Sequence, residues 1–117
     1  MKVIEDDWKL FRKLLPGWQE AYIAQLNRDD IELLSGDGYA DDKFWELEKR
    51  IKQDKRRPGV MLELNRSDMG WNLRDLILDG VITTEDISDF SEETRFLVDR
   101  LLKLAHWNAA EDEEQSE

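Results

Sequence analysis

Three acidic residues around one glycine are the nearest this sequence comes to a ligand loop. With Gly80 at the sixth position of a calcium-binding helix–loop–helix, Asp75, Ile77 and Asp79 take the first, third and fifth, and Asp86 the twelfth. Ile77 offers no oxygen, and Asp86 is shorter than the glutamate that binds through both oxygens. A plain connection between helices is therefore expected here. The other glycine-rich turn fails sooner: Gly38 at the sixth position puts Leu33 and Phe44 at the first and twelfth. His106 is the single histidine and cysteine is absent, so multi-histidine sites, thiolate sites and disulfides are excluded. A Ser–His–Asp arrangement would need His106 on a rigid scaffold, and it falls near the end of the last expected helix. The carboxylate pairs Asp29/Asp30, Asp41/Asp42 and Glu92/Glu93 are adjacent in sequence, so on a helix they diverge. GxxxxGK[ST], GxGxxG and HExxH are all missing. Enzymatic activity is disfavoured, and no catalytic, metal-ligating or cofactor-binding residue is assigned.

One cluster opposes the sign of the rest of the chain. Lys49, Arg50, Lys52, Lys55, Arg56 and Arg57 form a basic patch, within which Glu46, Glu48 and Asp54 are interleaved. Spacing of three and four residues on a helix favours internal ion pairs over a nucleic-acid site. Aromatic platforms for single-stranded nucleic acid are not expected in the patch.

The 117 residues carry a net charge of −11, and five of the acids (Glu111, Asp112, Glu113, Glu114 and Glu117) lie in the last seven positions. Such acidity disfavours nucleic acid and anionic membranes and permits a basic partner. Hydrophobic residues at 40% and five tryptophans suit a folded helical domain. No run reaches the ~18 apolar residues a membrane span needs, and the N-terminus lacks an apolar signal core. A cytoplasmic location is expected.

The elements follow from apolar periodicity. A first helix is expected over Asp6–Leu15 with Trp8, Phe11, Leu14 and Leu15 inward, ended or bent by Pro16-Gly17. A second should run from Trp18 to Leu34, with Trp18, Tyr22, Leu26 and Leu33 along one side. A third should run from Asp41 to Arg57, with Phe44, Leu47 and Ile51 buried and Trp45 on the flank. The central element is expected to be a helix over Pro58–Asp79. On a helical wheel Val60, Leu64, Trp71 and Leu78 fall within roughly 40° of each other, and Leu62, Met69, Leu73 and Leu76 lie opposite. Two opposed stripes require cover on both sides. Gly80 should cap this helix in the left-handed conformation, Val81 and Ile82 should enter the core, and Thr83 or Thr84 should start a short helix to Phe90. Ser91 should cap a last helix ending near Trp107. The fold expected is all-α, a single-domain bundle of five or six helices over residues 1–108, with a disordered acidic tail at 109–117.

With these segments placed, the chain resembles a family of small uncharacterised cytosolic helical proteins of Gram-positive bacteria, some labelled multidrug transporters. The resemblance rests on WQEAYIAQLNRDDIELLS (Trp18–Ser35), KFWELEKRIKQDKRRPGV (Lys43–Val60) and DGVITTEDISDFSEE (Asp79–Glu93). It implies a cytosolic helical protein and supplies no functional residues. A chain without a membrane span cannot itself be a transporter.

The function expected is a non-enzymatic protein-interaction or regulatory module. Its candidate interface is Val60, Leu64, Trp71 and Leu78, covered by a partner protein or by a second subunit. Two alternatives stand beside it. One is an acidic mimic of nucleic acid that inhibits a basic protein. The other is a small-ligand binder or enzyme with an inter-helix pocket that includes Asn65, Asn72 or Arg66.

Overall fold

A computed structural model describes residues 4–115, with side chains through Trp107. Among the described residues four helices follow one another: α1 (Glu5–Ser35), α2 (Ala40–Asp54), α3 (Met69–Leu78) and α4 (Glu92–Gln115). Single 3₁₀ turns at Arg66–Asp68 and Thr84–Ile87 precede α3 and α4. Among the described residues there is no strand. The all-α class is as expected; four helices replace the five or six.

Two expected helices merge into α1, which passes through Pro16 without ending. Both Pro16 and Gly17 face solvent, as does Arg12 one turn back. The carbonyl left without a donor by proline's missing N–H can therefore bond water, which lowers the cost of an interior proline. The opposite side of the same helix carries Trp8, Phe11 and Leu15 into the core.

The expected central helix over Pro58–Asp79 is corrected. Only Met69–Leu78 is α-helical; residues 58–65 turn and then extend. Proline disfavours the helical conformation of Arg57 before it, and Gly59 follows directly. A Cβ at Gly59 would overlap the ring of Tyr22, so the backbone here lies flat on α1. Val60 and Leu62 are half-buried while Met61 and Glu63 are exposed, which is the alternation of an extended chain rather than a helical stripe.

The end of α3 fits the expected cap. Gly80 has φ 77°, Val81 N–H donates to Leu76 O at 2.9 Å, and Gly80 N–H donates to Ile77 O at 3.1 Å. This pair of bonds closes the helix and drops Ile82 into the core. Thr83 then starts the next turn, its N–H donating to Asp86 Oδ2 at 2.7 Å. The backbone of α4 runs to Gln115, past the end expected near Trp107. Residues 116–117 and the side chains after Trp107, those of the expected disordered acidic tail at 109–117 included, lie outside the described residues.

The core is built from the first half of α1, α3, the 81–90 connection and α4: Phe11, Leu73, Leu76 and Val98 are its most enclosed members. Gly70 lets α3 approach α4 closely, since a Cβ there would stand 2.8 Å from Leu97 Cδ2. In contrast, α2 has no buried residue. The distal half of α1 and α2 form a hairpin that leaves the core. The radius of gyration is accordingly 17.3 Å, against about 13 Å for a compact chain of this length.

One buried carboxylate joins the two ends of this core. Asp7, 4% exposed, accepts from Ser91 N–H at 2.9 Å, Ser91 Oγ at 2.5 Å and Thr94 Oγ1 at 2.6 Å. Ser91 Oγ in turn accepts from Thr94 N–H, capping α4. Burial works against the charge of Asp7, but these donors outweigh it and hold the carboxyl below its ordinary 3.8. Its folded value being depressed, its contribution to stability is complete above pH 3.8 and disappears as pH falls through the folded value. Asp7→Asn should lower unfolding stability at pH 7 by about 2 kcal/mol, measured by urea denaturation. The gap between wild type and variant should close under acid; a gap that persists well below pH 3.8 would contradict the assignment.

Candidate interaction surface

Among the described residues, six exposed large apolar side chains lie on the hairpin: Ile31, Leu34, Tyr39, Phe44, Trp45 and Ile51. Nine of the fifteen residues of α2 are charged, and its apolar side chains are few: Phe44, Trp45, Leu47 and Ile51. The stripe expected to be buried is mostly outside. Phe44 is 60% exposed, Trp45 62% and Ile51 43%, with Leu47 half-buried. The physical reason is that α1 takes the adjacent side of α2, the one bearing Lys43, Arg50 and Asp54. Arg50 pairs with Asp30 at 3.6 Å and donates to Asp29 O at 3.4 Å, while Lys43 Nζ bonds Leu34 O and Gly36 O. The hairpin is thus closed by polar contacts along one edge, and its apolar edge is left open.

Two shallow cavities run along that edge. One, of about 130 Å³, lies between the helices and includes Ile23, Leu26, Ile51 and Val60. The other, of about 330 Å³, lies on α2 and includes Phe44, Leu47 and Ile51. Both share Ile51 and Lys55, so they adjoin along one groove-like edge. A third cavity of about 530 Å³ lies on the far side of α2, where Trp45 stands among Lys49, Lys52 and Arg56. Trp45 lies outside the patch in sequence, but helical spacing of three and four residues brings it beside the patch. Phe44 and Trp45 meet edge to face with centroids 5.0 Å apart.

The basic patch divides into three kinds of residue. Lys52 pairs with Glu48 at 3.8 Å and Arg50 with Glu46 at 3.5 Å, both across one helical turn. Arg57 belongs to the architecture. It donates to Tyr22 Oη at 3.3 Å and Asp79 Oδ1 at 3.1 Å, and pairs with Asp54 at 3.3 Å. Tyr22 donates to Asp79 Oδ2 at 3.2 Å, and Gln19 Nε2 to Pro58 O. Burial, reinforced by the charge on Asp79 and opposed by Arg57, pushes the Tyr22 phenol above its ordinary range. Around Gly59 these groups join α1, the end of α2 and the end of α3. Lys49, Lys55 and Arg56 form no ion pair among the described residues.

The interface expected from the wheel is not a single face. Val60 lies in the hairpin groove, half-buried, and Leu64 is on the extended segment, 48% exposed. Trp71 and Leu78 are on α3, 43% and 48% exposed. The guanidinium of Arg74 lies 4.8 Å from the Trp71 ring centroid and covers part of it. Nor do Asn65, Arg66 and Asn72 share a polar pocket. Asn72 is buried, its amide nitrogen without a partner, whereas Asn65 and Arg66 are exposed and Arg66 pairs with Glu5 at 2.9 Å. The acids of the calcium-like spacing are engaged separately: Asp75 by Arg74, Asp79 by Arg57 and Tyr22, Asp86 by Thr83. His106 is exposed on α4.

No family model matches the chain, and no solved structure matches it. Among curated proteins it is similar to the ribosome-recycling factor of Exiguobacterium sibiricum, with 26% identity over 116 residues. The match covers 87% of this chain and 63% of that protein. The chain therefore spans less than two thirds of the relative's length. No helix among the described residues is long and apolar enough to cross a membrane.

Gly59→Ala should cost about 1–3 kcal/mol of unfolding stability, because the Tyr22 ring or the backbone must shift to admit a methyl group. Arg57→Ala should cost about 1 kcal/mol or less, its side chain being 46% exposed. Arg56→Ala should change stability by under about 0.5 kcal/mol. Thermal melts of the three variants check the order; equal effects at positions 56 and 57 would contradict the division of the patch.

Proposed function

We propose that this chain is a non-enzymatic interaction module that binds a protein partner through the apolar edge of the α1–α2 hairpin. The observation that carries the reading is the exposure of Phe44 and Ile51 on a helix with no buried residue. A contiguous apolar groove rimmed by charge favours a partner, since leaving it in water forgoes its burial. Aromatic side chains beside cations are the residue types that anchor protein interfaces. The candidate face thus moves from Trp71 to the hairpin, with Val60 common to both. The resemblance to small cytosolic proteins of Gram-positive bacteria is compatible with this reading, and the cytoplasm is its expected compartment.

The similarity to a protein named for ribosome recycling favours a second, narrower reading, in which the partner belongs to the ribosome. Both are tested with the paired variant Phe44→Asp and Ile51→Asp, which alters exposed positions. In an extract of the native host, the wild type should retain proteins that the variant loses. Trp71→Asp should behave like the wild type. Co-sedimentation with purified ribosomes tests the narrower reading directly. Identical retention by wild type and paired variant would refute the hairpin as the docking element.

A further inference from the structure

The groove has a property that bears on what fills it: its charge reverses along its length. Asp41, Phe44, Glu48, Ile51, Lys52 and Lys55 fall within about 100° of one another around α2. Asp41 stands at its start, Glu48 at its middle, and the bases at its end. We propose that the occupant is a second copy of this chain, its α2 running antiparallel to the first. In a register centred near Lys49, Asp41 of one copy lies within about 3 Å along the axis of Lys55 of the other, and Glu48 of Lys52, with Phe44 and Ile51 between them. A two-fold axis makes both halves of the contact identical, so a single stripe is complementary to itself.

The rest of the charge distribution points the same way. Two copies carrying −11 each repel through most of their surface. The end of α2 is where the sign is reversed, and hence where an acidic copy can approach. The present partner of Lys52 within the chain is Glu48 at 3.8 Å, with both side chains at least half exposed. Such a pair is weak and exchanges readily for one between copies. The helix is about 22 Å long, so the contact is smaller than a standard interface and weak association is expected.

This inference rests on the hairpin reading, and its test separates the two. Sedimentation equilibrium is measured from about 10 µM to 1 mM on the wild type and two charge-reversed variants. One carries Lys52→Glu and Lys55→Glu, the other Asp41→Lys and Glu48→Lys. The wild type should dimerise with concentration. Each variant alone, its stripe now of one sign, should be monomeric with unchanged far-UV circular dichroism. Their equimolar mixture should pair at least about tenfold more tightly than either alone. If the second double variant loses helicity, Glu48→Lys alone takes its place. A monomeric wild type, a dimer that survives both reversals, or a mixture that fails to pair overturns the inference. A monomer whose capture of host proteins still depends on Phe44 and Ile51 overturns self-pairing and leaves the hairpin reading standing.

Discussion

The carboxylate of Asp7 sits where α1 meets the first turn of α4 and accepts three donors there, two hydroxyls and a backbone N–H. A negative charge at a helix start is favoured by the helix dipole, and burial strengthens each bond while making its loss expensive. The contact joins residues more than eighty positions apart, so it closes the core at its widest sequence separation. Between the two elements it joins, α3 supplies Leu73 and Leu76, and the 81–90 connection supplies Ile82, Ile87 and Phe90. Once α1 is anchored in this way, its direction is set for its whole length. The half beyond Trp18 has no alternative but to leave the core and serve as the support for α2.

A second junction holds that support at the intended angle. Tyr22, Arg57 and Asp79 bond one another where α1, the end of α2 and the end of α3 converge, and the flat backbone of Gly59 rests on the same tyrosine. The chain leaves α2 through this point and re-enters the core as an extended segment. A helix here would carry Val60 and Leu62 to opposite sides. Extension instead turns both inward, Val60 to the hairpin groove and Leu62 to the core.

Much of the core was legible in the sequence because its signals are local. The Trp8–Phe11–Leu15 stripe, the glycine cap after α3 and the serine cap before α4 each occupy fewer than ten residues, and each stands as expected. What was not legible depended on partners distant in sequence. Pro16 reads as a stop unless its side of the helix is known to face water. The residues around Gly59 read as helix because the two-sided wheel fits, and only the Tyr22 ring, distant in sequence, shows the backbone lying flat there instead. The exposed stripe of α2 was misread for a related reason. Periodicity shows that Phe44, Leu47 and Ile51 share a side, but not that α1 packs on the neighbouring one. Arg57 lay within the basic cluster with nothing in its spacing to mark it as structural.

The position of α2 has a thermodynamic consequence. A fifteen-residue helix is marginal in water by itself. Here its support is the polar edge shared with α1 and two pairs across single turns, Arg50–Glu46 and Lys52–Glu48, each contributing about 0.3–0.5 kcal/mol. None of the helix's apolar side chains is fully buried. The hairpin should therefore open at lower cost than the Asp7-centred core. Anything that binds the folded hairpin and not its opened form adds its binding free energy to the helix it covers. Covering Phe44 and Ile51 and stabilising α2 are then the same event, which makes the ordering of the hairpin a direct reporter of occupancy.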